Sequence, residues 1–192
     1  IAGETVTAAV RDRAPSRGEL PCRVTLYQAL PKGDKLELIV QKAVELGVFA
    51  VVPVLTSRCV SRPDPKGMEK KRERLQKIAR EAAGQSGRGL VPEIRPLLSF
   101  GEALGEMGES PCPILFYEEA QGPLGPLLEP RPGELALMVG SEGGFSPQEA
   151  EGARERGIRL CTMGPRILRC ETAPLYALSA VGFFYENLLE SV

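Results

Sequence analysis

Two glycine-bearing loops hold the residues best placed to do chemistry: Val139-Gly140-Ser141-Glu142-Gly143-Gly144-Phe145, and Met163-Gly164-Pro165-Arg166-Ile167-Leu168-Arg169-Cys170-Glu171-Thr172-Ala173. Each follows a short apolar run with the pattern of a buried strand, and each leads into a helix. Both therefore belong at the same carboxyl edge of a sheet, where open α/β folds bind ligands. In the first loop, Gly143 and Gly144 permit positive φ or close backbone approach, and Ser146-Pro147-Gln148-Glu149 has the form of a capping box with proline at the first helical position. A tight strand-to-helix turn without a ligand explains that loop equally well. The second loop places Arg166, Arg169 and Glu171 ahead of a long apolar helix, more charge than packing requires. Thr172 fits an N-cap and Glu171 the positive end of the helix dipole, so Glu171 is explained without catalysis. Arg166 and Arg169 are not.

What is missing narrows the chemistry further. The first loop lacks the G-x-G-x-x-G spacing of a dinucleotide site, and the chain has no G-x-x-x-x-G-K-[ST] phosphate loop. With 0 histidines there is no Ser-His-Asp triad, Cys-His pair or H-E-x-x-H zinc site. Gly84-Gln85-Ser86-Gly87-Arg88 is therefore no hydrolase nucleophile elbow, which also needs glycine where Arg88 stands. Proton transfer falls to carboxylates, to an arginine-perturbed environment or to solvent. The 5 cysteines are scattered with no C-x-x-C pair, favouring reduced, mostly buried thiols over a disulfide frame or a metal site.

Positioning these loops requires an α/β frame. The 192 residues are 43% hydrophobic and 26% charged, the balance of a globular chain with one substantial core. From Val24 onward, strand-like and helical stretches alternate, as a mostly parallel sheet requires. The strand candidates are Val24–Leu30, Val48–Val54, Leu90–Ile94, Pro113–Tyr117, Glu134–Val139 and Ile158–Met163. Helices are expected from Asp34, capped with Glu37 and closed by Gly47, then over Lys66–Gln85, Phe100–Met107, Pro147–Arg156 and Pro174–Leu189. Gln121–Gly133, rich in Gly and Pro, reads as a surface loop. The first two dozen residues differ: they are arginine-rich, with only short strand-like alternation at Thr5–Val10. No run has the length of a membrane span and the start does not read as a signal peptide, so the cytoplasm is the expected location.

The formal net charge of −1 hides an uneven distribution. Arg58 to Arg88 is strongly basic, whereas Gly101 to Glu151 is almost uniformly acidic. A basic stripe can neutralise phosphates and orient RNA; it can equally be a solvated helix face with Glu69 and Glu73 paired to neighbours one turn away. The RNA-facing candidates are Arg58, Arg62, Lys70, Arg74, Gln85, Ser86 and Arg88. Few aromatic residues argue against a base-stacking platform.

Taken in order, Gln41-Lys42-Ala43-Val44-Glu45-Leu46-Gly47-Val48, Glu81-Ala82-Ala83-Gly84-Gln85-Ser86-Gly87-Arg88 and the two glycine loops resemble the RsmE family, from about residue 25 to the end. These are SPOUT-class methyltransferases that use S-adenosyl methionine (SAM) to methylate N3 of a uridine in 16S ribosomal RNA of the small subunit. The resemblance implies a mostly parallel SPOUT-type sheet with a C-terminal trefoil knot over residues 25–192, and residues 1–24 as the trailing part of a PUA-like RNA-binding β-barrel. It implies a cofactor site formed by Phe116, Tyr117, Val139, Gly140, Ser141, Glu142, Gly143, Gly144, Met163, Gly164, Ile167 and Leu168. It also implies a homodimer, for which the long apolar helix Pro174–Leu189 offers a surface; core burial is the rival account of that helix. Cys170 departs from the family pattern, where Thr or Ala is expected.

Chemically, a sulfonium methyl donor is already electrophilic, so the protein must align it, assist loss of the uridine N3 proton and exclude water. An arginine beside the uridine carbonyls stabilises the resulting anion: Arg169 is the first candidate and Arg166 the second. Glu142 or Glu171 is the candidate proton acceptor. Two other readings stand beside this one. One is a SPOUT ribose 2′-O-methyltransferase acting on ribosomal or transfer RNA; the other is an RNA-binding protein that has kept the fold without catalysis.

Overall fold

A computed structural model describes residues 8–14 and 16–188. Its centre is a parallel sheet. Strands β1 (Arg23–Ala29), β2 (Ala50–Leu55), β3 (Glu93–Ile94), β4 (Leu98–Ser99), β5 (Pro113–Phe116), β6 (Glu134–Val139) and β7 (Arg159–Cys161) run in the order β3-β2-β1-β6-β5-β7, with β4 also beside β2. Every pair of strands is parallel. Central strands buried on both faces need continuous apolar runs, not alternation, and β6 is buried from Leu135 to Val139.

Helices cover both faces. On one side α1 (Lys35–Glu45), α2 (Pro65–Gln85) and α6 (Thr172–Asn187) pack Leu36, Ile39, Leu75, Ala177 and Leu178 against Val24, Leu26, Ile114 and Leu137. On the other, α3 (Phe100–Gly108) and α5 (Pro147–Glu155) place Leu104, Met107, Ala150 and Ala153 against Tyr27, Val52, Leu115 and Met138. Each large side chain so buried contributes about 1.5–3 kcal/mol. The short α4 (Gly125–Leu128) adds Leu128 to the first cluster, so the stretch expected as a plain loop contains a helical turn.

Three helix starts, those of α2, α3 and α5, follow local capping chemistry. Ser99 with Glu102 and Ser146 with Glu149 form complete capping boxes, and the Asp64 side chain accepts from Gly67 N ahead of Pro65. The acidic cap expected at Asp34 is not formed: its side chain makes no cap bond, and Glu37 instead pairs with Arg74 at 2.7 Å. α6 begins at Thr172, one residue after the N-cap Glu171, so Thr172 is not the cap. β3 keeps only the last two residues of its expected span, and β4 was not anticipated. Of the alternation at Thr5–Val10, residues 8–10 lie in no strand and residues 5–7 fall outside the described part, as does Leu189. Among the described residues no helix is long and apolar enough to cross a membrane.

One connection shapes the site. β7 is an edge strand beside β5, yet α6, which follows it, packs against α1. The segment 162–171 must therefore travel from the sheet edge to the α1 side.

Candidate active site

The carboxyl ends of β5, β6 and β7 open into a cavity of about 290 Å³, close to the lower end of the ~300–1,000 Å³ usual for small-ligand sites. Its walls are the end of β5 (Phe116, Tyr117, Glu118), the first glycine loop from Val139 to Phe145, the second loop from Thr162 to Leu168 with Cys170, and Ala173 of α6. Phe116, Tyr117, Val139, Gly140, Ser141, Glu142, Gly143, Gly144, Met163, Gly164, Ile167 and Leu168 all line it. Glu118, Phe145, Thr162, Pro165 and Ala173 line it as well and were not anticipated.

Glycine is required in the first loop for two separate reasons. Gly144 has φ +61°, a left-handed backbone that side chains disfavour. Gly143 sits so close to the loop after β2 that an added Cβ would lie 2.9 Å from Arg58 Cβ. Arg58 also donates from its guanidinium to Gly143 O at 2.9 Å, and Glu149 accepts from Ser57 N at 2.7 Å. Beneath, the fully buried Gln28 of β1 donates to Gly140 O at 3.3 Å. Gln28 Oε1 and Ser141 Oγ are buried and, among the described residues, have no hydrogen-bond partner. Ser141 lines the cavity, and an orphaned hydroxyl there favours a polar ligand, since it costs about 1–3 kcal/mol unsatisfied.

The carboxylates assigned to proton transfer are tied down. Lys35, at the start of α1, places Nζ 2.9 Å from Glu142 Oε1 and 3.4 Å from Glu171 Oε2. Burial raises the Glu142 pKa, but the Lys35 ammonium and the amides of Glu142 and Lys32 outweigh it and hold the carboxyl at about 2. Glu171 is held below its ordinary value by its own amide, by Cys170 and by Lys35. Cys170 donates to Glu171 Oε2 at 3.2 Å, and burial, then that carboxylate, push its thiol up to about 12. It is a neutral thiol, not a nucleophile. Lys35 was missed in the sequence although Lys32-Gly33-Asp34-Lys35 follows β1 at the same carboxyl edge.

Of the two arginines, Arg166 lines the cavity, whereas Arg169 is exposed and outside its wall. The Arg169 carbonyl accepts from Thr172 N and Ala173 N, which fixes the turn into α6.

The basic stripe divides in a similar way. Lys70 and Gln85 are exposed and make no side-chain hydrogen bond among the described residues. Arg62 donates to the carbonyls of Thr56 and Ser57, Arg74 pairs with Glu37, and Ser86 Oγ donates to Ala82 O. Arg88 departs from expectation. Its side chain is only 2% exposed, pairs with Glu19 and donates to the carbonyls of Val44 and Val48. Its charge holds the fold together and is not on an RNA-facing surface.

The family model of the RNA methyltransferase domain matches residues 18–182. The chain is 40% identical to the ribosomal RNA small subunit methyltransferase E of Bacillus subtilis over 98% of its own length and 76% of that protein's. It is 35% identical to the protein of the same name from Synechocystis, over 94% of this chain and 60% of that one. Among solved structures it is similar to a ribosomal RNA small subunit methyltransferase E from Neisseria gonorrhoeae bound to S-adenosyl methionine, with TM-score 0.78, 38% identity and coverage of 87% and 68%. The chain thus spans between about three fifths and three quarters of these relatives' lengths. Matched along nearly all of its sequence, with its glycine loops gathered around one cavity, the chain belongs to the RNA methyltransferase domain family, among the ribosomal RNA small subunit methyltransferase E proteins.

Proposed function

We propose that this chain methylates N3 of a uridine in 16S ribosomal RNA of the small subunit, using SAM. The observation that carries this reading is the cavity itself: three loops from neighbouring strand ends, rich in backbone donors and acceptors, with the buried Ser141 Oγ unpartnered among the described residues. The residues present fit the cofactor. Apolar walls from Phe116, Val139, Met163 and Leu168 suit an adenine ring, and the glycine loop lets backbone groups approach it. When bound, SAM supplies an electrophilic methyl group on a sulfonium.

The chain's own residues do the rest. Arg166, on the cavity wall, is the group we assign to the anionic uridine, with its charge beside the ring carbonyls; Arg169, exposed outside that wall, we assign to contact with RNA. With Glu142 held at about 2, it is a weak base near neutral pH, so the N3 proton passes to solvent as the anion forms and Arg166 supplies the stabilisation. The target base leaves its stack to enter so small a site.

The wider assembly belongs to the same proposal. The order β6-β5-β7, with α6 returning to α1, supports a trefoil knot made by segment 162–171 and α6. Exposed Tyr176 and Phe183 on α6, with Leu188 just past its end, support a homodimer through that helix. Lys70, Lys77 and Arg80 are exposed along α2 and supply the phosphate-facing charge. The expected boundary at residues 24 and 25 falls inside β1, so only the described residues ahead of the family match at residue 18, 8–14 with 16 and 17, are read as the trailing part of an RNA-contacting PUA-like domain, and the protein as cytoplasmic. The test is to incubate the protein with labelled SAM and 30S subunits from a strain lacking its own uridine N3 methylase, then map the product by mass spectrometry. Label on N3 of one uridine is expected; label on a ribose 2′-oxygen, or cofactor binding without transfer, overturns the proposal.

A further inference from the structure

The segments that follow β1, β6 and β7 meet at one ammonium. Besides its contacts with Glu142 at 2.9 Å and Glu171 at 3.4 Å, Lys35 Nζ lies 3.7 Å from Cys170 Sγ. The three N–H bonds of a lysine suit three acceptors in different directions better than a planar guanidinium does. The backbone strengthens the junction: Lys32 N donates to both oxygens of Glu142, at 3.1 and 3.3 Å. Glu142 comes from the first glycine loop, while Cys170 and Glu171 come from the second. Glu142 and Cys170 line the cavity; Lys35 does not. Without the ammonium, two carboxylates from opposing loops would face each other and repel.

We propose that Lys35 is a positioning residue for methyl transfer, cross-linking the two loops through Glu142 and Glu171 and so holding the cavity in the shape that binds the methyl donor. This rests on the reading of the cavity as the cofactor site. A charge bridge of this kind acts at a distance from the reacting atoms, through the loops it joins. Its loss changes cofactor affinity before it changes chemistry.

The experiment is calorimetric titration of SAM into the full chain, without RNA, at pH 7 and pH 5, for wild type, Lys35→Met and Lys35→Arg. Thermal melts confirm folding, and hydrogen exchange follows the amides of both loops. Lys35→Met is expected to bind SAM about tenfold more weakly at pH 7, with faster exchange in residues 139–145 and 162–171. The loss is expected to shrink as pH falls toward 5, because without the ammonium both carboxyls rise from their lowered values and begin to protonate, which weakens their repulsion. Wild type shows no such gain, and Lys35→Arg, which keeps the charge, binds more tightly than Lys35→Met. Wild-type affinity in Lys35→Met, or an equal loss at both pH values with unchanged exchange, overturns the clamp. Failure of wild type to bind SAM at all overturns the cofactor reading and the clamp with it.

Discussion

Arg88 and Glu19 form an ion pair in which the arginine side chain is 2% exposed and the glutamate 29%. The same guanidinium donates to Val44 O at 3.0 Å and Val48 O at 2.7 Å, and Glu19 accepts from the amides of Gly89 and Leu90 at 3.0 Å. One pair thus joins the segment before β1, the end of α1 and the turn after α2. Removing the arginine takes the charge partner from Glu19, which keeps only its amide donors, and the side-chain donor from Val48 O, while Val44 O keeps Gly47 N. Arg88→Ala is expected to lower unfolding free energy by roughly 2–4 kcal/mol, read from urea denaturation. Lys recovers only part, lacking the fork that reaches several acceptors. A loss below about 0.5 kcal/mol, the level of an ordinary surface change, would show that the pair holds nothing together.

Acid sensitivity follows from the depressed carboxyls. Glu142 is held at about 2, and Glu19 below its ordinary 4.5, where burial works against the fold and Arg88 with the amides of Leu90 and Gly89 more than compensates. A carboxyl with a lowered folded pKa stabilises the protein above its unfolded value, and that contribution is lost as pH falls through the folded one. Stability is therefore expected to hold down to about pH 4.5 and decline from there toward pH 2. In Glu142→Gln the decline is shallower. Denaturant titrations at several pH values give the slope, and equal slopes in both proteins would remove Glu142 from the account.

Two glycine-to-alanine changes separate fold from site. At Gly84, in α2, an added Cβ meets nothing within 4 Å. Gly84→Ala is expected to raise stability by about 0.5–1 kcal/mol. At Gly143 the new Cβ must displace Arg58. Gly143→Ala is expected to weaken SAM binding about tenfold while stability falls by only ~1 kcal/mol. If both variants bound SAM as wild type does, the close approach of Arg58 to the first loop would have no bearing on the cavity.

How much of this was legible beforehand depended on whether the signal was local. β6 matches its expected span, Glu134–Val139, because a buried parallel strand is a continuous apolar run bounded by turn residues. The capping box at Ser146 and Glu149 likewise needs only four residues. Asp34 and Glu37 carry the same local pattern, yet Arg74, 37 residues on, takes the glutamate. Arg88 looked like part of a basic stripe because its partner Glu19 lies 69 residues away. Lys35 escaped notice for the same reason, since Glu142 is 107 residues distant and only the sheet order brings them together. The cavity walls could be named from the two loops, but which charges are free and which are spent is a tertiary fact.

That distinction gives the RNA surface its sharpest test. Each phosphate neutralised by a lysine releases counterions, so the dependence of log affinity on log salt has a slope of about −0.9 per contact. Lys70 is exposed with no side-chain hydrogen bond among the described residues, whereas Arg74 is engaged by Glu37 at 2.7 Å. A free charge can meet a phosphate at no internal expense; a paired one must first give up its carboxylate. Lys70→Ala is therefore expected to weaken binding to a small-subunit RNA fragment uniformly across sequences and to reduce the salt slope by about 1. Arg74→Ala should leave the slope nearly unchanged and instead lower stability by about 0.2–1 kcal/mol, as an exposed ion pair does. Filter binding from low to moderate salt measures both slopes. A slope unaltered by Lys70→Ala would move the RNA surface off α2, and a fall in slope with Arg74→Ala would mean that Glu37 releases its arginine when RNA arrives.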